Sequence, residues 1–267
     1  PLRRQRQMCI RDRLQFEIKE ADFEANKDTI ESLISENYKN TDIIVLPEMW
    51  NLGYALTQLN QLTDEAMAKC YDFISRLAKQ FNTNIVAGSI ANKTEKGIYN
   101  TAFSVARNGA FLNKNDKVHL VPMLDEPQYL TAGKDNPNCF EVEGMPVSQL
   151  ICYDLRFPEV ARHSIMEGSK VIFVVAQWTT KNLEHWRILL RARAVENHCF
   201  IVACNSVGRV NHPNHMTNTY AGHSMIVHPS GEILIEANDG PQVIECEINI
   251  EEVDVQRGNI PTLDIYN

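Results

Sequence analysis

The sequence predicts a single α/β domain, and three observations carry that expectation. From about residue 14, short apolar runs of strand composition alternate with longer segments whose apolar residues recur at helical spacing. The central runs are apolar at every position, as expected of strands in sheets covered on both faces. No Pro/Gly/Ser-rich linker, short repeat or low-complexity tract divides the 267 residues. That length allows one large domain or two small ones with a sizeable core, and the unbroken pattern selects one.

The elements follow in order. Asp22 to Tyr38 reads as a helix, with Phe23, Ile30, Leu33, Ile34 and Asn37 near one face. Ile43-Ile44-Val45-Leu46 is a short buried strand that Pro47 ends. Thr63 to Phe81 is the strongest helix: Thr63 is placed to cap it, Asp64 and Glu65 suit its positive end, and Met67, Cys70, Ile74, Leu77 and Phe81 form a stripe. "NIVAGSI" and "NTAFSVA" are strands, and Asn108-Gly109 turns the chain before "AFL". "VSQLIC" is a strand, and Pro158 opens a helix running through Met166 to a stop near Gly168. "VIFVVA" is a buried strand, Glu184 to Asn197 a helix, and "CFIVACN" a strand. "HSMIVHPSGEILIE" reads as a hairpin turning at Pro229-Ser230-Gly231, with "QVIECEI" as a last strand.

A hydrophobic fraction of 44% against 22% charged residues is that of a soluble globular protein. The formal charge is −8 without a Lys/Arg stripe, so nucleic acid is not an expected partner. No apolar run is long enough to span a membrane and no secretory h-region opens the chain, so no membrane partner is expected and the expected location is the cytoplasm. Seven cysteines are scattered without a CxxC pair, which leaves a zinc ribbon or thioredoxin-type motif unsupported. Cys204 and Cys246 lie in strand-like runs, where cysteine acts as a small hydrophobe. Residues 1–13, "PLRRQRQMCIRDR", carry +4 and leave the rest of the chain near −12. They read as a basic leader, disordered or foreign to the domain that spans 14–267.

Sites in α/β folds collect where strands end. Three ionisable residues stand there: Glu48 after "IIVLP", Lys117 in "NKNDKVHL" and Cys152 after "VSQLI". Singly each has a bland reading, because a strand-end Glu or Lys is usually solvated and a strand-end Cys is usually core. Together they supply a base, a cation and a nucleophile. A carboxylate can take the thiol proton, a helix beginning near Pro158 can favour the thiolate, and an ammonium with the Tyr153 N–H can hold an oxyanion. That set suffices for acyl transfer through a thioester.

The segments "LPEMWNLGY", "DKVHL" and "LICYDLRFPE" resemble the three signature segments of the nitrilase superfamily of carbon–nitrogen hydrolases, in the same order and at similar wide spacing. "AGSI", "YNTAF", "LDEPQYLTAG", "HWRILLRARAVEN" and "AGHSMIVHPSGEIL" extend the likeness from about Gln15 to Pro261. The resemblance implies a four-layer α-β-β-α sandwich, usually a homodimer, with Glu48 as general base, Lys117 as oxyanion stabiliser, Cys152 as nucleophile and Glu126 as a second glutamate positioning Lys117 or the substrate. It implies hydrolysis of a small amide with no metal or organic cofactor. Within the superfamily the chain is most similar to omega-amidases of the bacterial type linked to methionine salvage, which act on 2-oxoglutaramate or 2-oxosuccinamate. A deaminated glutathione amidase, an N-carbamoyl amine hydrolase, a true nitrilase, a non-catalytic scaffold and a redox sensor using Cys152 are the alternatives.

Other residues are weighed beside these. Tyr54 and Trp178 are candidate pocket residues; a structural role is the default for Tyr54, and for Trp178 ordinary packing at a strand end stands level with the pocket reading. Arg156 either grips a substrate carboxylate or pairs with Glu159 or Glu196 to brace the elbow. Arg191, Arg193 and Glu196 share a helix, where Arg193 and Glu196 can pair across a turn. His119 reads as a structural hydrogen-bonder, because the papain-type cysteine signature is absent. His212, His215 and His223 lie in a polar loop without an ordered metal-ligand spacing. No GxGxxG or Walker A motif supports nucleotide binding.

Overall fold

The computed structural model describes residues 7–38, 40–63, 66–210 and 218–266, with side chains described between Leu14 and Ile265. The strands are β1 Gln7–Gln15, β2 Ile43–Val45, β3 Asn84–Thr94, β4 Gly97–Val105, β5 Phe111–Asp116, β6 Phe140–Val142, β7 Met145–Ile151, β8 Val171–Ala176, β9 Phe200–Asn205, β10 Val207–Arg209, β11 Thr219–Ala221, β12 Met225–Val227, β13 Ile233–Glu236 and β14 Gln242–Asn249. The helices are α1 Phe23–Asn37, α2 Leu59–Leu62, α3 Ala66–Phe81, α4 Glu126–Tyr129, α5 Pro158–Met166, α6 Leu183–Asn197 and α7 Glu251–Asn259.

Two six-stranded sheets form the centre, in the orders β14-β1-β2-β3-β4-β5 and β13-β12-β9-β8-β7-β6. Each has parallel strands in its middle, β1-β2-β3 in one and β7-β8-β9 in the other. Strand alternation sorts the first sheet's side chains into two cores. Ile43, Val45, Val86 and Ala102 face the second sheet, whereas Ile44, Ile85, Ala87 and Phe103 pack with Ile30 and Ile34 of α1 and Ile74 and Leu77 of α3. On the second sheet, Val160 and Ile165 of α5 and Trp186 and Leu190 of α6 belong to the same core as β7, β8 and β9. The result is the expected α-β-β-α sandwich. Full burial of each Val, Leu, Ile or Phe contributes roughly 1.5–3 kcal/mol, which explains why these strands tolerate no alternation.

Most elements match their sequence signals. Asp22 caps α1 by accepting from Ala25 N at 3.0 Å. Pro158 takes the first position of α5, and Gly168, at φ +107, follows its end. Cys204 lies between the sheets, its sulfur 3.5 Å from the Val45 carbonyl oxygen. Cys246 is only half-buried.

Two expectations change. The helix expected from Thr63 begins at Ala66, and Thr63 instead closes α2, its hydroxyl donating back to the Leu59 carbonyl at 2.7 Å. Residues 64 and 65 lie outside the described residues. The boundary expected after residue 13 falls inside β1, which pairs with β14 from Gln7 and with β2 at Arg13. The β1–β14 register shifts between Ile10 and Arg13, where three steps on β1 meet two on β14. Residues 1–6 lie outside the described residues.

Candidate active site

Glu48 stands two residues beyond Leu46, at the carboxyl end of β2. Its loop is fixed by Met49 N donating to Ser89 Oγ at 3.0 Å and Trp50 N to the Ser89 carbonyl at 3.1 Å. Gly88 is required beside it: its φ is +59, and a Cβ there would overlap the Pro47 carbonyl oxygen. Lys117 directly follows β5, its N–H bonded to the Asn100 carbonyl at 2.8 Å. Cys152 ends β7 and opens a 3₁₀ turn, Cys152–Arg156, with φ +46. A non-glycine residue held at positive φ is uncommon and marks this elbow as a presented position.

The three strand ends converge. Lys117 Nζ lies 2.9 Å from Glu48 Oε1 and 2.8 Å from Glu126 Oε1, and all three side chains are fully buried. Glu48 Oε1 also accepts from Asn100 Nδ2 at 2.8 Å, and Oε2 accepts from Gln177 N at 2.8 Å. Glu126 opens α4, and its Oε2 accepts from Val121 N at 2.8 Å. Tyr54 Oη sits between the carboxylates, 3.0 Å from Glu48 and 2.8 Å from Glu126. Tyr54 was expected in the pocket wall, and it is instead a member of the charged cluster. An ammonium has three N–H groups, and these contacts use two of Lys117's, which leaves one for a bound molecule.

Burial pushes the Cys152 thiol well above its ordinary range. The Glu48 carboxylate adds to this through its charge, Lys117 opposes it, and Glu126 and a hydrogen bond to Glu48 push the same way. The expectation that the α5 N-terminus favours the thiolate is therefore outweighed: a 3₁₀ turn separates Cys152 from that helix, and burial beside two carboxylates dominates. Burial works against the Lys117 charge, but Glu126 and Glu48 outweigh it and hold the ammonium well above its usual range. Burial lifts Glu126 above the usual carboxylate range, with Lys117 pulling it down and Glu48 pushing it up.

Cys152 borders a cavity of about 280 Å³, with Tyr153, Arg156, Gln177, Trp178 and Lys181 in its wall. Trp178 is oriented by its own N–H donating to Asn205 Oδ1 at 2.7 Å and its indole N–H to the Asn182 carbonyl at 2.8 Å. Arg156 does not pair with Glu159 or Glu196. Its guanidinium lies 4.5 Å over the Trp178 ring and 5.7 Å from the Tyr153 ring, and no carboxylate pairs with it among the described residues. Glu196 is taken by Arg193 at 2.9 Å, as the helical spacing predicts. The side chain of Tyr153 packs edge-on against Phe157.

His119 holds the elbow. Its N–H and its Nδ1 both lie 2.9 Å from Asp154 Oδ1, and its ring stacks on Phe157 at 3.6 Å. His223 lies 2.7 Å from Glu236, which also binds Arg187. His212 and His215 lie outside the described residues. Sequence reasoning missed Asn100 and Gln177. Gln177 had a signal, as the polar residue straight after the apolar strand β8. Asn100 had none, because only the register of β4 beside β5 brings it to Glu48.

The sequence model of the family described as "Carbon-nitrogen hydrolase" matches residues 6–257. A Staphylococcus lugdunensis protein named "Hydrolase in agr operon" is 45% identical, with 85% of this chain and 95% of that protein covered. The "2-oxoglutaramate amidase" of Bacillus subtilis is 38% identical, with 94% of this chain and 95% of that enzyme covered. Among solved structures, a Xanthomonas campestris CN-hydrolase superfamily protein with an arsenic adduct in its active site superposes with a TM-score of 0.85 at 28% identity, covering 97% of this chain and 96% of that one.

Proposed function

The chain belongs to the carbon–nitrogen hydrolase family, and on that premise we propose that it is an omega-amidase. The reaction is hydrolysis of the terminal amide of a small 2-oxo acid, 2-oxoglutaramate or 2-oxosuccinamate, through a thioester on Cys152. The observation that carries this is the buried Glu48–Lys117–Glu126 cluster beside a cysteine that opens on a cavity lined by Arg156, which has no carboxylate partner among the described residues.

In this mechanism Glu48 takes the thiol proton as the sulfur attacks the amide carbon. Base assistance suits a thiol held in its protonated form. The free N–H of Lys117 and the Tyr153 N–H hold the oxyanion, while Glu126 keeps Lys117 aimed. The tetrahedral adduct collapses, the C–N bond breaks, and Glu48 returns its proton to the departing ammonia. Glu48 then deprotonates a water that attacks the thioester, which releases the 2-oxo acid and restores the thiol. Arg156, backed by Trp178, takes the substrate carboxylate, with Tyr54 and Trp178 shaping the site. The 38% identity to a 2-oxoglutaramate amidase over nearly the whole chain supports the substrate.

The test is ammonia release across a panel of 2-oxo acid amides, carbamoyl amines and nitriles, with wild type and Cys152→Ala. Turnover of 2-oxoglutaramate by wild type alone is the expected result. Activity retained by Cys152→Ala refutes the nucleophile, and turnover of carbamoyl amines only refutes the substrate.

The reading includes a homodimer built on α6. Ile188 and Val195 are exposed and lie seven residues apart on one face of that helix. It also places the enzyme in the cytoplasm, which suits the six cysteines among the described residues, all of them free thiols.

A further inference from the structure

The hydrogen bonds around Tyr54 do not close if both glutamates are ionised. Tyr54 Oη lies within hydrogen-bond distance of Glu48 Oε1 and Glu126 Oε1, yet a phenol has one proton and can donate to only one of them. The other contact then sets lone pair against lone pair in a buried cluster, where an unmade hydrogen bond is costly. One more proton closes the set. Its position follows from the acceptors. Glu48 Oε1 already receives Asn100 Nδ2 and Lys117 Nζ, so a proton placed there would displace a donor. Glu126 Oε1 receives only Lys117 besides the phenol, and its Oε2 is occupied by Val121 N.

We propose that at rest Glu126 carries a proton on Oε1 and donates it to Tyr54 Oη, while Tyr54 donates to Glu48 Oε1. Tyr54 is then a positioning residue that acts on Glu48 and never touches the substrate, and the inference rests on the reading of Glu48 as the base. The titratable groups facing this chain are Lys117, Cys152 and Tyr220. Burial and the Glu48 charge raise Glu126 in the direction the proposal needs, and burial with the Glu48 charge keeps the Tyr54 phenol protonated.

The consequence is a balanced site. One ammonium faces one carboxylate, with a neutral acid, a phenol and a thiol around them. Lys117 is not over-neutralised, so its free N–H stays strong for the oxyanion. The Tyr54 phenol, donating to Glu48 Oε1, holds the carboxylate in place before the thiol approaches.

Infrared spectroscopy of the resting protein reads the proton directly. Wild type is expected to show the carbonyl stretch of a protonated carboxylic acid at neutral pH, shifted by ¹³C-glutamate labelling, absent in Glu126→Gln and moved in Tyr54→Phe. The labelled wild type decides the matter even where Glu126→Gln fails to fold, and no label-sensitive acid band overturns the proposal. In kinetics Tyr54→Phe removes a donor from ionised Glu48. The acidic limb of kcat/KM is therefore expected to move to higher pH, with kcat down roughly 10- to 100-fold and KM nearly unchanged. A merely structural tyrosine would lower activity without moving the limb, and an unmoved limb overturns its role. The infrared arm uses no substrate, so an error in the substrate leaves it intact. Hydrolysis surviving in Cys152→Ala would sink the functional reading and not the proton.

Discussion

At Cys152 the thiol keeps its proton at rest, because burial and then the Glu48 charge disfavour the thiolate. Replacing Glu48 with glutamine removes a negative neighbour and leaves Lys117 in place. The sign follows: Cys152 should ionise at lower pH than in wild type, while the base that drives catalysis is gone. Glu48→Gln is expected to lose roughly 10²–10⁴ in kcat/KM, yet to show its iodoacetamide alkylation midpoint at lower pH. A midpoint moved upward would contradict the charge arrangement. Arg156 is the other decisive residue. It has no carboxylate partner among the described residues, so its charge is available at the cavity. Arg156→Ala should raise KM for 2-oxoglutaramate roughly 10- to 100-fold, the value of a charge-assisted hydrogen bond. KM for an uncharged aliphatic amide should hardly change, and an equal rise for both would assign Arg156 to the elbow alone. Glu48, Lys117 and Cys152 were legible because each follows an apolar strand. The position of Arg156 over Trp178 was not, since stacking across 22 positions leaves no spacing in the sequence.

Between residues and fold stands the elbow that joins β7 to α5. The chain turns through a single 3₁₀ turn that begins at a positive φ, so it needs support from outside. Asp154 supplies it. Fully buried, its carboxylate accepts from His119 N at 2.9 Å and meets His119 Nδ1 at the same distance, which ties the Lys117 segment to the Cys152 segment. Asp154→Ala would leave the half-buried His119 N–H without its acceptor and free the ring, at a cost of about 1–3 kcal/mol. Urea unfolding should show a lower midpoint, and kcat should fall more than KM rises because the nucleophile loses its aim. Unchanged stability would show that the Phe157–His119 stack suffices. Helices long enough to repeat a stripe were legible in the sequence. This turn was not, because five residues carry no helical period. Thr63 misled for a related reason: a threonine before an apolar stripe also fits the end of the preceding turn, and its hydroxyl bonds backward to Leu59.

Across the whole molecule the sandwich was legible because both sheets are covered on both faces, which forces unbroken apolar runs. Its edge was not. The charged stretch Arg11-Asp12-Arg13 argued against a strand, yet β1 is the second strand of its sheet, flanked by β14 and β2. Pairing outweighs composition here: β14 offers a long antiparallel partner from Gln242 to Asn249, and an irregular step between Ile10 and Arg13 takes up the mismatch. Such a strand should still be a weak point, since charged residues in succession are poor strand formers beside β-branched ones. Replacing Arg11, Asp12 and Arg13 together with Val, Thr and Val should therefore recover about 1–2 kcal/mol. For a chain of this size that corresponds to roughly 2–8 °C in Tm. The catalytic constants should stay the same, because none of the three residues belongs to the charged cluster or lines the cavity beside Cys152. Calorimetry with parallel assays checks both parts. A Tm that stays level or falls would refute the strand's weakness, and pairing with β14 would then fully offset its composition.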